Sequence, residues 1–176
     1  MEKWDIYDSN RCKTGRFISR GENLGEGEYH LAIQLCIFNS KGEMLIQQRQ
    51  PFKDDWANMW DITAAGSAHA GETSQLAAQR ELFEELGIRV ELSGIRPHLT
   101  VNFDGGFCDV FLIEQDTDIN TLALQEDEVQ AIKWAGKDEI LSMIRCGEFI
   151  TYYTPFIELL FESRNRYGSH SSEFLK

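Results

Sequence analysis

Glu81, Glu84 and Glu85 stand close together on one segment, preceded by Arg80, Glu72 and Gly66. Residues 73–86 are predicted as an amphipathic helix, with Thr73 or Ser74 as N-cap and Gly87 as the C-terminal stop. At about 100° per residue, Leu76, Ala78, Leu82, Phe83 and Leu86 share one arc. Arg80 and the three glutamates take the opposite arc. Like charges at i,i+3 and i,i+4 each cost roughly 0.2–0.5 kcal/mol, and these lie in the half of the helix nearer its negative dipole end. Arg80 is the only basic residue among them. A solvated polar face is one reading of such a cluster. The other is a bound divalent cation, which reverses the sign of each of these costs, because clustered carboxylates are the hard-oxygen ligand set that Mg²⁺ prefers.

Further residues could serve such a site. Arg49 and Lys53 suit phosphate contacts. His69 lies between Gly66 and Glu72, and His30 precedes an apolar strand. "LQEDEV" offers Glu126 and Glu128, with Asp127 between them, as an outlying ligand or base. Trp56, Met59 and Trp60 are read as loop or core packing, or as a wall for a stacked base.

The elements that must position these residues follow from periodicity. "WDIYDSN" and "RCKTGRFISRG" suggest a hairpin or extended arm. "EYHLAIQLCIFNSKGEMLIQQR" predicts two strands around a turn at residues 39–42, the first apolar enough to be covered on both faces. "DITAAG" reads as a short strand. "RVELSGIRPHLTVNF" and "FCDVFLIEQ" read as strands flanking Gly105-Gly106, and "EVQAIKWA" as another. "KDEILSMIRCG" predicts a helix capped by Gly147, and "TPFIELLFESRNRYG" a last helix with Pro155 in its first turn. Strands with helices scattered between them imply an α/β protein with a mixed sheet in an α/β/α arrangement. Residues 1–168 are expected to form one domain and 169–176 a frayed tail.

Bulk properties narrow the function. The chain has 176 residues and a net charge of −12, which argues against nonspecific nucleic-acid binding but is compatible with a phosphorylated small molecule held through metal ions. No apolar run approaches the ~20 residues of a membrane helix, and the first residues lack the apolar core of a signal peptide. A cytoplasmic protein without membrane contact is expected. The four cysteines form no C-x-x-C pair, and three in apolar contexts are read as buried reduced thiols. The aromatic-rich N-terminal arm and "FITYYTPF" could cover the core or form a homodimer contact.

Gly66, Glu72, Arg80-Glu81-Leu82-Phe83-Glu84-Glu85 and Gly87-Ile88 together resemble a complete Nudix box, G-x5-E-x7-R-E-U-x-E-E-x-G-U, with U a bulky aliphatic residue. The resemblance implies a Nudix-type α/β/α sandwich and Mg²⁺- or Mn²⁺-dependent hydrolysis of a nucleoside diphosphate linked to another group. It makes Glu81, Glu84, Glu85 and the carbonyl of Gly66 the metal ligands. Glu81 and Glu84, with Arg80 and Glu72 as a supporting pair, become the catalytic residues. Bound metal would offset diphosphate charge and lower the pKa of the attacking water, with a carboxylate assisting deprotonation.

"YHLAIQLCIFNSKGEMLIQQRQPFKDDWANMWDI" is also similar to the isopentenyl-diphosphate isomerase branch of the superfamily. His30 matches a metal histidine of that branch. Its catalytic cysteine, however, falls at Ala65, a second metal histidine at Ser67, and its second catalytic acid at Gly106. The intact box with missing proton-transfer groups favours hydrolysis over isomerisation, with a noncatalytic Nudix-fold binding protein as the alternative. The marks that accompany ADP-ribose, diadenosine polyphosphate and NADH hydrolysis in the family are absent. A nucleotide or other small diphosphate is left as the expected substrate.

Overall fold

The computed structural model describes residues 2–170. Strands β1 (Lys3–Tyr7) and β2 (Lys13–Ser19) form a separate two-stranded sheet, the hairpin of the two readings of this arm. A Tyr7–Tyr29 bridge and a salt bridge from Arg11 to buried Asp109 fix the hairpin to the main sheet.

That sheet is built on β3 (His30–Phe38). Along β3, Leu31, Ile33, Leu35 and Ile37 enter one core, while Cys36 and Phe38 enter another on the opposite face. The strand is thus covered on both sides, as its near-continuous apolar run requires. One of its edges pairs in parallel with β8 (Gly106–Glu114), which pairs in turn with β7 (Leu99–Phe103). The other edge is shared. Residues 32–35 pair with β6 (Ala64–Ser67), and Phe38 pairs with Met44 of β4 (Met44–Arg49). β4 continues the sheet to β5 (Trp60–Asp61) and β9 (Val129–Ala135). β6 and β4 therefore diverge from one strand like the arms of a fork.

α1 (Ser74–Leu86) covers one face, and α2 (Lys137–Cys146) and α3 (Thr154–Ser163) cover the other. This is the expected α/β/α sandwich with a mixed sheet. The Thr73 hydroxyl accepts from the Leu76 amide at the start of α1, and Gly87 closes it at φ 70°. Gly147 ends α2 in the left-handed conformation at φ 74°, which glycine adopts without a Cβ penalty.

Four expectations are corrected. Residues 89–98 are not strand, because Gly94 turns at φ 74°, Pro97 has no N–H, and the Leu92 amide bonds instead to Gln79. "DITAAG" divides into β5 and β6. Cys36 and Cys108 are buried, but Cys12 and Cys146 are exposed, and all four are free thiols. Finally, the inward face of α1 is rotated toward its acids. Ala77, Ala78, Leu82, Leu86 and Glu85 are buried, whereas Leu76 and Phe83 are exposed. The alanines let α1 lie close on β6 and β3, while Phe83 packs outside beneath the Arg89 guanidinium. Of the tail foreseen for 169–176, residues 171–176 lie outside the described residues.

Candidate active site

The fork between β6 and β4 opens into a cleft of about 1010 Å³, with α1 as one wall. Gly66 sits where α1 crosses β6, and a Cβ there would overlap the Glu81 carboxylate. Glycine at this position thus leaves room for the Glu81 side chain, and α1 brings Glu81, Glu84 and Glu85 into the cleft beside the Gly66 backbone.

Arg80 organises this wall. Its guanidinium meets Glu72 in a two-point contact, Nε to Oε1 at 2.9 Å and Nη2 to Oε2 at 3.0 Å. Nη2 also donates to the Ser67 carbonyl at 3.0 Å. Nη1 donates to Glu81 at 2.9 Å and Glu84 at 3.1 Å. Partial burial works against the Arg80 charge, but Glu72 and Glu81 outweigh it and hold the group firmly cationic. Burial likewise pushes the Glu72 carboxyl up, yet Arg80 and the His69 amide hold it below the ordinary value. The planar fork of arginine suits this bracing, where lysine would offer a point charge.

Glu85 is different. It is buried, and its Oε2 accepts from the Gln47 side-chain amide at 2.8 Å. Burial raises its carboxyl well above the ordinary range, with Gln47 opposing and Glu81 adding to the rise. Burial raises Glu81 as well, with Arg80 opposing. Among the described residues, no three His, Cys, Asp or Glu side chains form a finished cation cage; Arg80 and Gln47 hold the glutamate oxygens instead. The donor set nevertheless fits a hard divalent cation. Two desolvated glutamates are disfavoured as anions in the protein alone, and a cation beside them would reverse that penalty.

Among the other expected site residues, Arg49, Lys53, His69 and Glu128 line the cleft. Glu128 pairs with Lys53 at 2.7 Å. Glu126 does not line it, and contributes only its backbone carbonyl, which accepts from Gln50. His30 lies outside the lining, stacked on Trp4 at 4.5 Å with its Nδ1 3.5 Å from the Ser67 hydroxyl. Burial holds its imidazole below the ordinary pKa. Gln47 and the arm residues Glu2, Trp4 and Arg20 were not foreseen. The arm residues line the cleft because β1 and β2 fold over it, and only the three-dimensional pairing shows this. Gln47 shares a strand face with Leu45, two residues before it, and that alternation was a readable signal that its amide turns inward.

A mixed α/β/α sandwich presenting braced carboxylates from a loop–helix–loop element is a Nudix-type architecture. The chain belongs to the Nudix family, whose NUDIX domain matches residues 28–153, and it is a Nudix hydrolase. It is 46% identical over 170 residues to an uncharacterized Nudix hydrolase of Listeria monocytogenes, covering 97% of this chain and 99% of that protein. It is 30% identical over 145 residues to the isopentenyl-diphosphate Δ-isomerase of Pectobacterium atrosepticum, covering 77% of this chain and 76% of the relative. In fold it resembles the crystal structure of a Deinococcus radiodurans protein, with a TM-score of 0.72 at 22% identity, over 94% of this chain and 100% of that one. No helix among the described residues is long and apolar enough to cross a membrane.

Proposed function

We propose that this protein is an Mg²⁺- or Mn²⁺-dependent hydrolase that cleaves a phosphoanhydride bond in a nucleoside diphosphate-linked or other small diphosphate compound by water attack at phosphorus. The observation that carries the reading is the buried Glu85, held by Gln47 beside Glu81 and Glu84 in one cleft. In this reading Glu81, Glu84, Glu85 and the Gly66 carbonyl hold the cation. Bound there, it would neutralise diphosphate charge and acidify water. Arg80 and Glu72 keep the carboxylates in place. Arg49 and Lys53 neutralise phosphate oxygens, and His69 stands at the rim. Glu81 or Glu84 accepts the proton of the attacking water, with Glu128 as the outlying alternative, since it faces the cleft and Glu126 does not. A small phosphorylated substrate held through metal ions is compatible with the net charge of −12, and in this reading the reaction takes place in the cytoplasm.

The test is phosphate or monophosphate release from a panel of diphosphate compounds with Mg²⁺, comparing the protein with Glu85→Gln. Metal-dependent turnover lost in the variant supports the reading. Ligand binding without turnover would point to a binding module. Conversion of isopentenyl diphosphate to its allylic isomer would replace hydrolysis with isomerisation.

A further inference from the structure

A second pocket, of about 450 Å³, adjoins the acidic cleft on the other side of β6, and Ala65 and Gly66 line both. Its walls come from Ala32, Ala65, Val101, Phe103, Cys108 and Phe156. Among the described residues, no charged side chain lines it. Its most buried polar groups are already engaged with one another. The Gln34 amide donates to the Tyr152 hydroxyl at 3.2 Å, and that hydroxyl donates to buried Asp61 at 2.9 Å. The open space exists because β3, β6 and β8 place small residues there: Ala32 is registered beside Cys108, and Ala65 lies across from Gln34. At the mouth, Val101 and Phe103 leave apolar surface exposed.

We propose, resting on the hydrolase reading above, that the group carried by the diphosphate is a small uncharged hydrocarbon, alkyl, alkenyl or aryl, seated in this pocket. Because Ala65 and Gly66 border both spaces, one molecule would place its diphosphate against the carboxylates and its substituent between β6 and β7. A nucleobase entering the same space would give up hydrogen bonds to water with few free partners in return, which discriminates against it. A hydrocarbon loses none, and it covers the exposed Val101 and Phe103 surface. The volume lies in the range of small-ligand pockets, roughly 300–1,000 Å³. In the reaction, water oxygen bonds to one phosphorus and the bridging P–O bond breaks. The products are a hydrocarbyl monophosphate and inorganic phosphate, and the water proton passes through a cleft carboxylate to solvent.

The experiment compares n-octyl diphosphate with methyl diphosphate, ADP and CDP under Mg²⁺, and measures n-octyl phosphate, methyl phosphate and CMP binding calorimetrically in metal-free protein. The expected result is a kcat/KM for octyl diphosphate about tenfold or more above the other three, with octyl phosphate binding tightest and with a negative heat-capacity change. Val101→Asp, at a half-exposed position of β7, is expected to lower the octyl-to-methyl ratio at least about fivefold. Turnover of ADP or CDP equal to or better than octyl diphosphate overturns the inference and leaves the hydrolase reading standing. If no diphosphate is cleaved, the hydrolase reading fails. Calorimetry then decides the pocket: CMP binding as tightly as octyl phosphate overturns the inference, and octyl phosphate preference supports it.

Discussion

Gln47 of β4 donates its amide to Glu85 of α1 at 2.8 Å inside the protein, so one hydrogen bond ties the β4 arm to the α1 wall at the most buried carboxylate of the cleft. Glu85→Gln keeps a carbonyl oxygen for that bond while removing a buried charge. The raised carboxyl of Glu85 means that metal-free protein loses stability as pH climbs above the ordinary value of 4.5, where the unfolded chain ionises first. In EDTA at pH 7 the variant should therefore unfold at higher urea than the wild type, while its metal-dependent turnover falls about a hundredfold or more. Saturating Mg²⁺ should reverse the stability order, since cation at 100 times its Kd adds about 2.7 kcal/mol to the form that binds it. A variant less stable than the wild type in EDTA would show that Glu85 is not strained as an anion.

Gly66→Ala tests the contact between β6 and α1. The added methyl would overlap the Glu81 carboxylate, so the Glu81 side chain must move aside. Because the clash is with the end of a flexible side chain, the expected stability loss is small, while displacement of that carboxylate should cost on the order of a hundredfold in kcat/KM. Circular dichroism should show the fold retained. Unchanged kinetics would mean that Glu81 has no fixed position to lose.

These two residues also show what the sequence could convey. β3, α1, α2 and α3 were legible because the apolar run of β3, the capping glycines of α1 and α2, and Pro155 in the first turn of α3 agree with the tertiary outcome. Gly66 and the acidic segment were legible from their spacing. The facing of α1 was not: helical arithmetic places large apolar residues inside, whereas Ala77 and Ala78 pack on β6 and leave Leu76 and Phe83 outside. The burial of Glu85 was not legible either, because its partner, Gln47, lies on a strand 38 residues away. The arm over the cleft was illegible for the same reason, since Glu2 and Arg20 reach it only once β1 and β2 have paired.

Asp61, on β5, gives a pH signature. Burial raises its carboxyl above the ordinary 3.8, although the Tyr152 hydroxyl, the Ile62 amide and the Arg49 charge oppose the rise. Below about pH 3.8 both folded and unfolded chains carry the proton and there is no penalty. Above it the unfolded chain ionises first, so stability falls with rising pH until the folded group also ionises. Asp61→Asn retains an acceptor for Tyr152 and Ile62 and cannot titrate. It should be more stable than the wild type at pH 7, the gap closing toward pH 4 in urea unfolding with EDTA. A gap independent of pH would refute this account.

The hairpin has a structural hold on the loop that carries Glu72. Asp5, buried on β1, accepts from the Gly71 amide at 2.8 Å and pairs with Lys13 at 2.6 Å. Lys13 reaches the Glu72 carbonyl at 3.3 Å, and the Ala70 amide donates to the Lys3 carbonyl at 2.7 Å. Asp5 touches none of the cleft carboxylates, so it acts by positioning the loop from which Glu72 braces Arg80. Asp5→Ala should leave the Gly71 amide without its partner and let residues 69–72 exchange their amide hydrogens faster. It should lower kcat about tenfold, the scale of lost supporting contacts. Asp5→Asn, which keeps the acceptor for Gly71 but not the charge on Lys13, should recover most of the exchange protection and part of the rate. A loss of global stability with amide exchange at 69–72 no faster than elsewhere would make Asp5 a general anchor of the hairpin rather than a clamp on the loop.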